Sequence, residues 1–142
     1  MSNRDVVEKF YRATQSGDGT ALLMTLHPDF EGHVAPGLPA VTGTVFHGPQ
    51  AALAGIWMPV AQAFDIAPHA EEWFESPGDV VIVTGRYRGT ERSTNRPVEA
   101  EFAHIWRITE GKLAHLHQFT DTWCWRTEQA SGLSGSASTA TR

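Results

Sequence analysis

Apolar residues recur at two different periods along the chain, and the change of period divides it. Between Asp5 and Thr14, Val6, Val7, Phe10, Tyr11 and Ala13 follow the three-and-four spacing of an amphipathic helix, with Asn3 or Asp5 placed to cap it. The turn Ser16-Gly17-Asp18-Gly19 ends that run. Thr20 opens a shorter helix through Leu22, Leu23 and Leu26, stopped at His27-Pro28 because proline drives its predecessor out of helical space. Phe30 to Val34 reads as a first strand, followed by a loop holding Pro36, Gly37, Pro39 and Gly43. Gly48-Pro49 then starts a helix through Leu53, Ile56, Trp57, Val60 and Phe64, and Pro59 inside it predicts a kink or an early end near Met58.

Beyond this point the period becomes two. Ile66 to Glu75 reads as a weak strand, Val80 to Arg88 as a strong one, Val98 to Ile108 as a long one and Leu113 to Trp123 as another. Ser76-Pro77-Gly78-Asp79 and Thr109-Glu110-Gly111-Lys112 have the chemistry of hairpin turns, and Gly89 to Pro97 is a longer polar connection. Helices first and tightly joined strands afterwards predict an α+β domain, with an antiparallel sheet covered on one face. The segment from residue 129 to 142 is Ser, Thr, Ala and Gly with almost nothing bulky, so a folded domain over 1–128 and a disordered tail are expected.

Composition narrows the partners. The chain has 142 residues, a formal charge of −5 and no basic cluster, so neither nucleic acid nor an anionic membrane is expected as its main partner. Its lone Cys124 excludes a disulfide scaffold, and the start MSNRDVVEKF has no apolar export signal. A cytoplasmic protein binding something small is the resulting expectation. Five Trp exceed what one small core buries easily, which favours a lined cavity or a subunit interface. Nucleotide-binding glycine motifs and the Gly-x-Ser-x-Gly nucleophile motif are missing from the sequence.

Candidate chemistry comes from the strand faces. Alternation groups Val98, Ala100, Phe102, His104, Trp106 and Ile108 on one face, and likewise Leu113, His115, His117, Phe119, Asp121 and Trp123. A turn centred near Gly111 sets His104 roughly across from Asp121 or a neighbour of it. An Asp beside an imidazole in an apolar pocket can shuttle a proton, because desolvation moves both groups toward neutrality. The plainer alternative is that Asp121 anchors the strand end and His104 is a satisfied core histidine. His115 and His117, with His104 or His33 as a third ligand, have a weak metal-like spacing, and no metal is assigned.

Several segments together carry a resemblance. They are Ser16-Gly17-Asp18, His27-Pro28-Asp29-Phe30-Glu31, Ala35-Pro36-Gly37-Leu38-Pro39, Gly48-Pro49, Thr84-Gly85-Arg86-Tyr87-Arg88-Gly89-Thr90, Ala103-His104-Ile105-Trp106-Arg107, Glu110-Gly111-Lys112 and Gln118-Phe119-Thr120-Asp121-Thr122. In order and spacing they resemble the SnoaL-like, polyketide-cyclase-related branch of the nuclear-transport-factor-2-like superfamily. The resemblance implies a conical α+β barrel whose curved sheet wraps a helix around an apolar pocket, commonly in a homodimer. It also implies a cofactor-free enzyme moving a proton next to a carbonyl in a small apolar or polyketide-like ligand, as a cyclase, isomerase or dehydratase. Asp121 would be the acid/base and His104 its pocket-facing partner, with His33, Trp57, Tyr87, Phe102, Trp106, His117 and Phe119 shaping the pocket. The isomerase branch fits less well, since its first-helix tyrosine falls on Phe10 and Tyr11 is one position off. Two alternatives stand beside this reading: a non-catalytic ligand-binding or dimerisation module, and an epoxide hydrolase for which Glu31 and Arg86 are loose candidates.

Overall fold

The computed structural model describes residues 1–126. The segment 129–142, expected to be disordered, lies outside the described residues. Helix α1 (Asn3–Ser16) begins earlier than its apolar stripe because Ser2 caps it. The Ser2 hydroxyl accepts from the Asp5 N–H at 3.1 Å and the Asp5 carboxylate accepts from the Ser2 N–H at 3.1 Å, a reciprocal capping box. Helix α2 (Gly19–Met24) is capped by Asp18 and gives way directly to β1 (Leu26–His33). The strand therefore starts before His27-Pro28, with an irregular register between Leu26 and Glu31 that accommodates the missing N–H of Pro28.

The short strand β2 (Val45–His47), inside the Gly- and Pro-rich loop, carries too few residues to show a period. The third helical run is α3 (Pro49–Ala52), a π-helical segment (Leu53–Trp57) and α4 (Met58–Ala63). Pro59, which cannot donate within a helix, sits in the first turn of α4, so the expected kink is realised as one wide π turn just before it. Strands β3 (Phe64–Ser76), β4 (Val80–Glu91), β5 (Pro97–Thr109) and β6 (Lys112–Thr120) follow, then the four-residue helix α5 (Thr122–Trp125). Glu110 and Gly111 both have positive φ, 55° and 74°, as the tight β5–β6 turn requires.

The six strands form one mixed sheet in the order β2-β1-β6-β5-β4-β3. Only the β1–β6 pair is parallel. β2 and β3 are its two edges, so the sheet is open and the conical barrel implied by the resemblance is not closed. Gly85 and Gly89 let β4 lie tightly on β3, since a Cβ at either would overlap the carbonyl of His69 or Asp65. The core joins α1 to the covered face: Val7, Phe10, Phe30, Val81, Val83, Trp106 and Leu113 are fully buried.

One bulge reverses the expected face of β6. Arg107 pairs with His115 while Ile108 pairs with Leu113, so Ala114 has no opposite number. An extra residue in one strand shifts every later side chain to the other face. Leu113, Leu116 and Gln118 therefore point inward, whereas His117 and Phe119 are exposed, stacked on each other at 4.2 Å. The face assignment from strict alternation is thus correct for β5 and inverted for β6 after Ala114.

Candidate functional site

His104 sits at the centre of β5's buried face and is 3% exposed. Opposite it on β6 is Gln118, not Asp121, and opposite it on β4 is Val83. Both ring nitrogens are engaged. The Tyr11 hydroxyl, from α1, lies 2.7 Å from Nδ1, and the Tyr87 hydroxyl, from β4, lies 2.7 Å from Nε2. Trp106 Nε1 donates to the Tyr11 oxygen at 3.2 Å and Gln118 Nε2 donates to the Tyr87 oxygen at 2.8 Å. The amide is oriented from its other side, because the Ala35 N–H donates to Gln118 Oε1 at 3.2 Å and so requires oxygen there. The result is a continuous buried chain, Trp106–Tyr11–His104–Tyr87–Gln118.

Its electrostatics follow from burial without a charged partner. Desolvation pushes the His104 pKa down to about 3, so the ring is neutral at physiological pH. The same cause raises the Tyr11 and Tyr87 hydroxyls above their ordinary value. A neutral imidazole has one donor and one acceptor, so two proton arrangements exist. With hydrogen on Nδ1, the ring donates to Tyr11 and accepts from Tyr87, which leaves the buried Tyr11 hydrogen without an acceptor in the chain. With hydrogen on Nε2, Tyr11 donates to Nδ1 and Nε2–H donates to Tyr87. The unmatched hydrogen is then that of Tyr87. Each arrangement leaves one tyrosine hydrogen unmatched within the chain, and only in the second does it belong to a residue lining the cavity described next, where a ligand oxygen can accept it.

That direction matters because Tyr87, His104 and Gln118 line a cavity of about 90 Å³. The rest of its wall is mostly apolar, including Phe10, Leu38, Ile56, Trp57, Leu116 and Trp125. The lining among the described residues contains no carboxylate, Lys or Arg. Trp57 comes from the π segment, and Trp125, from α5, packs edge-on against Tyr87 at 5.0 Å. A preorganised neutral donor network in an apolar cavity can hold and polarise a carbonyl oxygen.

Residues 7–116 match the SnoaL-like domain family. The chain belongs to that family. A search of curated proteins returned no match. An NTF2-like protein of Burkholderia thailandensis E264 is 29% identical, with TM-score 0.78, covering 92% of this chain and 98% of its own. An NTF2-like protein of Burkholderia pseudomallei K96243 is 28% identical, with TM-score 0.77 and coverage of 87% and 94%. IdmH, described as a candidate polyketide cyclase of Streptomyces antibioticus, shares the fold at 23% identity, TM-score 0.76 and coverage of 87% and 95%. No helix among the described residues is long and apolar enough to cross a membrane.

The SnoaL-like domain distributes the expected site residues unevenly. His104, Tyr87 and Trp57 line the cavity. Phe102 and Trp106 are buried behind it, Phe102 stacked on the His104 ring at 4.1 Å and Trp106 edge-on at 5.8 Å. His33, His117 and Phe119 lie on the outer face of the sheet, away from the cavity. Asp121 is the N-cap of α5, accepting from the Trp123 N–H at 3.2 Å and from the Cys124 thiol at 3.3 Å, and it is not a cavity-lining residue. The bulge at Ala114 is the reason: with β6 shifted, the inward polar residue is Gln118. Tyr11 and Gln118 are the members of the network that alternation did not place. Tyr11 reaches His104 because it sits beside Phe10 on a helix face that is buried on both flanks.

On the outer face, strand register brings five side chains together. Glu31 of β1 is flanked by His47 on β2 and His115 on β6, and His33 by His117. Glu31 Oε2 lies 2.5 Å from His33 Nε2 and 4.0 Å from His115 Nε2, and Oε1 lies 3.5 Å from His47 Nδ1. The His33 hydrogen bond, chiefly, holds the Glu31 carboxyl below its usual range, and burial lowers the His115 imidazole. His104, considered with this set from the sequence, is on the opposite face and takes no part in it.

Proposed function

We propose that this SnoaL-like domain binds a small, largely apolar, carbonyl-bearing ligand and promotes proton transfer next to that carbonyl without a cofactor, as a cyclase or isomerase does. The observation that carries this reading is the Tyr11–His104–Tyr87 chain ending in a hydroxyl on the cavity wall. With the Tyr87 oxygen accepting from both His104 and Gln118, its own hydrogen is free for a carbonyl oxygen or a developing enolate. As negative charge grows on the ligand oxygen, the hydrogen bond from Tyr87 strengthens, supported by His104 Nε2–H and Gln118 Nε2 donating to the Tyr87 oxygen behind it. His104 thus supports the Tyr87 hydroxyl as a neutral donor, in keeping with its depressed pKa. Asp121, at the cap of α5, serves this reading as a positioning residue that holds Trp125 against Tyr87.

Cavity size bounds the ligand. At about 90 Å³ the space is smaller than the roughly 150 Å³ cavity that holds benzene in an engineered protein. A fragment of a few heavy atoms fits as the walls stand, and a ring system requires the walls to move outward.

The test is a panel of small β-keto compounds and cyclic ketones, followed by Trp fluorescence for binding and by product analysis for turnover. Binding with turnover that falls at least a hundredfold in Tyr87→Phe supports the reading. Binding with no turnover of any compound selects the ligand-binding module instead. Unchanged turnover in Tyr87→Phe overturns the assignment.

A further inference from the structure

We propose that Glu31, His33 and His115 form a divalent transition-metal site on the outer face of the sheet, with His47 and His117 as neighbouring donors. One ligand atom from each of the three core residues can be chosen so that all lie within 4.8 Å of one another. A tetrahedral ion bound at about 2.0 to 2.1 Å needs its ligand atoms about 3.3 Å apart. Glu31 Oε2 and His33 Nε2 are already closer than that. His115 Nε2, 4.0 Å from Glu31 Oε2, must move in by several tenths of an ångström, and its side chain is 30% exposed at the sheet surface.

Strand register makes the cluster more than a chance meeting of surface groups. Glu31 and His33 are two apart on β1 and so share a face, and their register partners are His47 on one side and His115 and His117 on the other. The His33 and His115 rings lie 5.0 Å apart between centroids, and those of His33 and His117 lie 5.6 Å apart. His115 Nδ1 is buried and has no hydrogen-bond partner among the described residues, so Nε2, facing Glu31, is the atom able to bind an ion. Metal would replace the proton now shared between His33 and Glu31 and release it to solvent.

The donor set selects the ion. Several imidazoles with one carboxylate suit Zn²⁺, Co²⁺, Ni²⁺ or Cu²⁺, whereas Ca²⁺ and Mg²⁺ require mostly oxygen ligands. The ion's role follows from position. It would tie the parallel β1–β6 pair together on the face opposite the cavity, as a clamp rather than a participant in cavity chemistry.

Untagged full-length protein, stripped with chelator, should be titrated with Zn²⁺ by calorimetry and with Co²⁺ by visible absorption. One equivalent of Zn²⁺, a tetrahedral Co²⁺ spectrum, a raised Tm and no response to Mg²⁺ are expected. His33→Ala and His115→Ala should each weaken binding at least tenfold, and Glu31→Gln, which keeps the side-chain shape, should do the same. His69→Ala, on the opposite edge strand, should leave binding unchanged. Failure of wild-type protein to bind Zn²⁺, or equal binding by the His33→Ala/His115→Ala double variant with an unaltered far-UV spectrum, would overturn the site.

Discussion

The hydroxyl of Tyr87 lies 2.7 Å from Nε2 of His104, on the wall of an apolar cavity that both residues line. This contact links the buried histidine to the space a ligand would fill. Removing the hydroxyl therefore has two separable effects. Tyr87→Phe leaves Gln118 Nε2 and the His104 nitrogen each without a partner, which should cost about 1 to 3 kcal/mol of stability. Denaturant unfolding would measure that. Gln118→Leu removes the outer donor to Tyr87 and leaves the Ala35 N–H without its acceptor, while keeping the Tyr87–His104 contact available for ligand binding.

Acid sensitivity should follow from His104. Its folded pKa is lowered to about 3 by burial, against about 6.5 in an unfolded chain, so between these values the unfolded state binds more protons. The contribution of this residue is fully present above the unfolded value and is lost as pH falls through the window. The expected slope is about 1.4 kcal/mol per pH unit, approached between pH 6 and pH 4. His104→Gln, lacking the titrating group, should show a pH–stability profile flatter by about one proton over that range. Parallel profiles for the two proteins would show that His104 is protonated in the folded state.

Much of this arrangement is legible in the sequence, and where legibility stops has a physical cause. The helical stripe from Val6 to Ala13, the β4 to β6 meander and the inward placement of His104 all follow from periodicity, because each element buries one face. The partner of His104 does not. Alternation carried through Leu113 to Trp123 assigns His117, Phe119 and Asp121 to the interior, and a single unmatched residue, Ala114, reverses that assignment. Alanine has neither the polarity nor the conformational signature that would mark a bulge. β2 is likewise invisible, since three residues in a loop carry no period. The parallel pairing of β1 with β6, which assembles the outer histidine cluster, depends on a contact between distant segments that no local pattern encodes.

A further prediction concerns the close approach of β3 and β4. A Cβ at Gly89 would overlap the Asp65 carbonyl and crowd the Ile66 Cα, both of them backbone and unable to swing aside. Gly89→Ala should force the two strands apart near Phe64, which packs on Trp125 at 5.1 Å. A loss of about 3 kcal/mol or more, in the range of overpacked or strained core positions, is expected from thermal unfolding. The same substitution at Gly17, where no atom lies within 4 Å of the added Cβ, introduces only the strain of its positive φ of 69°. It should cost about 1 kcal/mol, and equal losses at the two glycines would show that strand spacing is not the determinant.

Asp121 offers the sharpest distinction between chemistry and architecture. Its carboxylate caps α5, and α5 carries Trp125, which is 1% exposed and forms the cavity wall beside Tyr87. Asparagine caps helices as well as aspartate does, so Asp121→Asn should leave stability within a few tenths of a kcal/mol and keep the cavity intact. Asp121→Ala removes the cap and should cost about 1 kcal/mol, with a change in Trp fluorescence as Trp125 loses its anchorage. A residue acting only by position therefore predicts Asn tolerated and Ala impaired, in both ligand binding and turnover. A base that must accept a proton predicts the reverse emphasis, with Asn as damaging to turnover as Ala while binding is preserved. Measuring KM and kcat for the two variants side by side separates these roles, because loss of the wall raises KM and loss of a base lowers kcat.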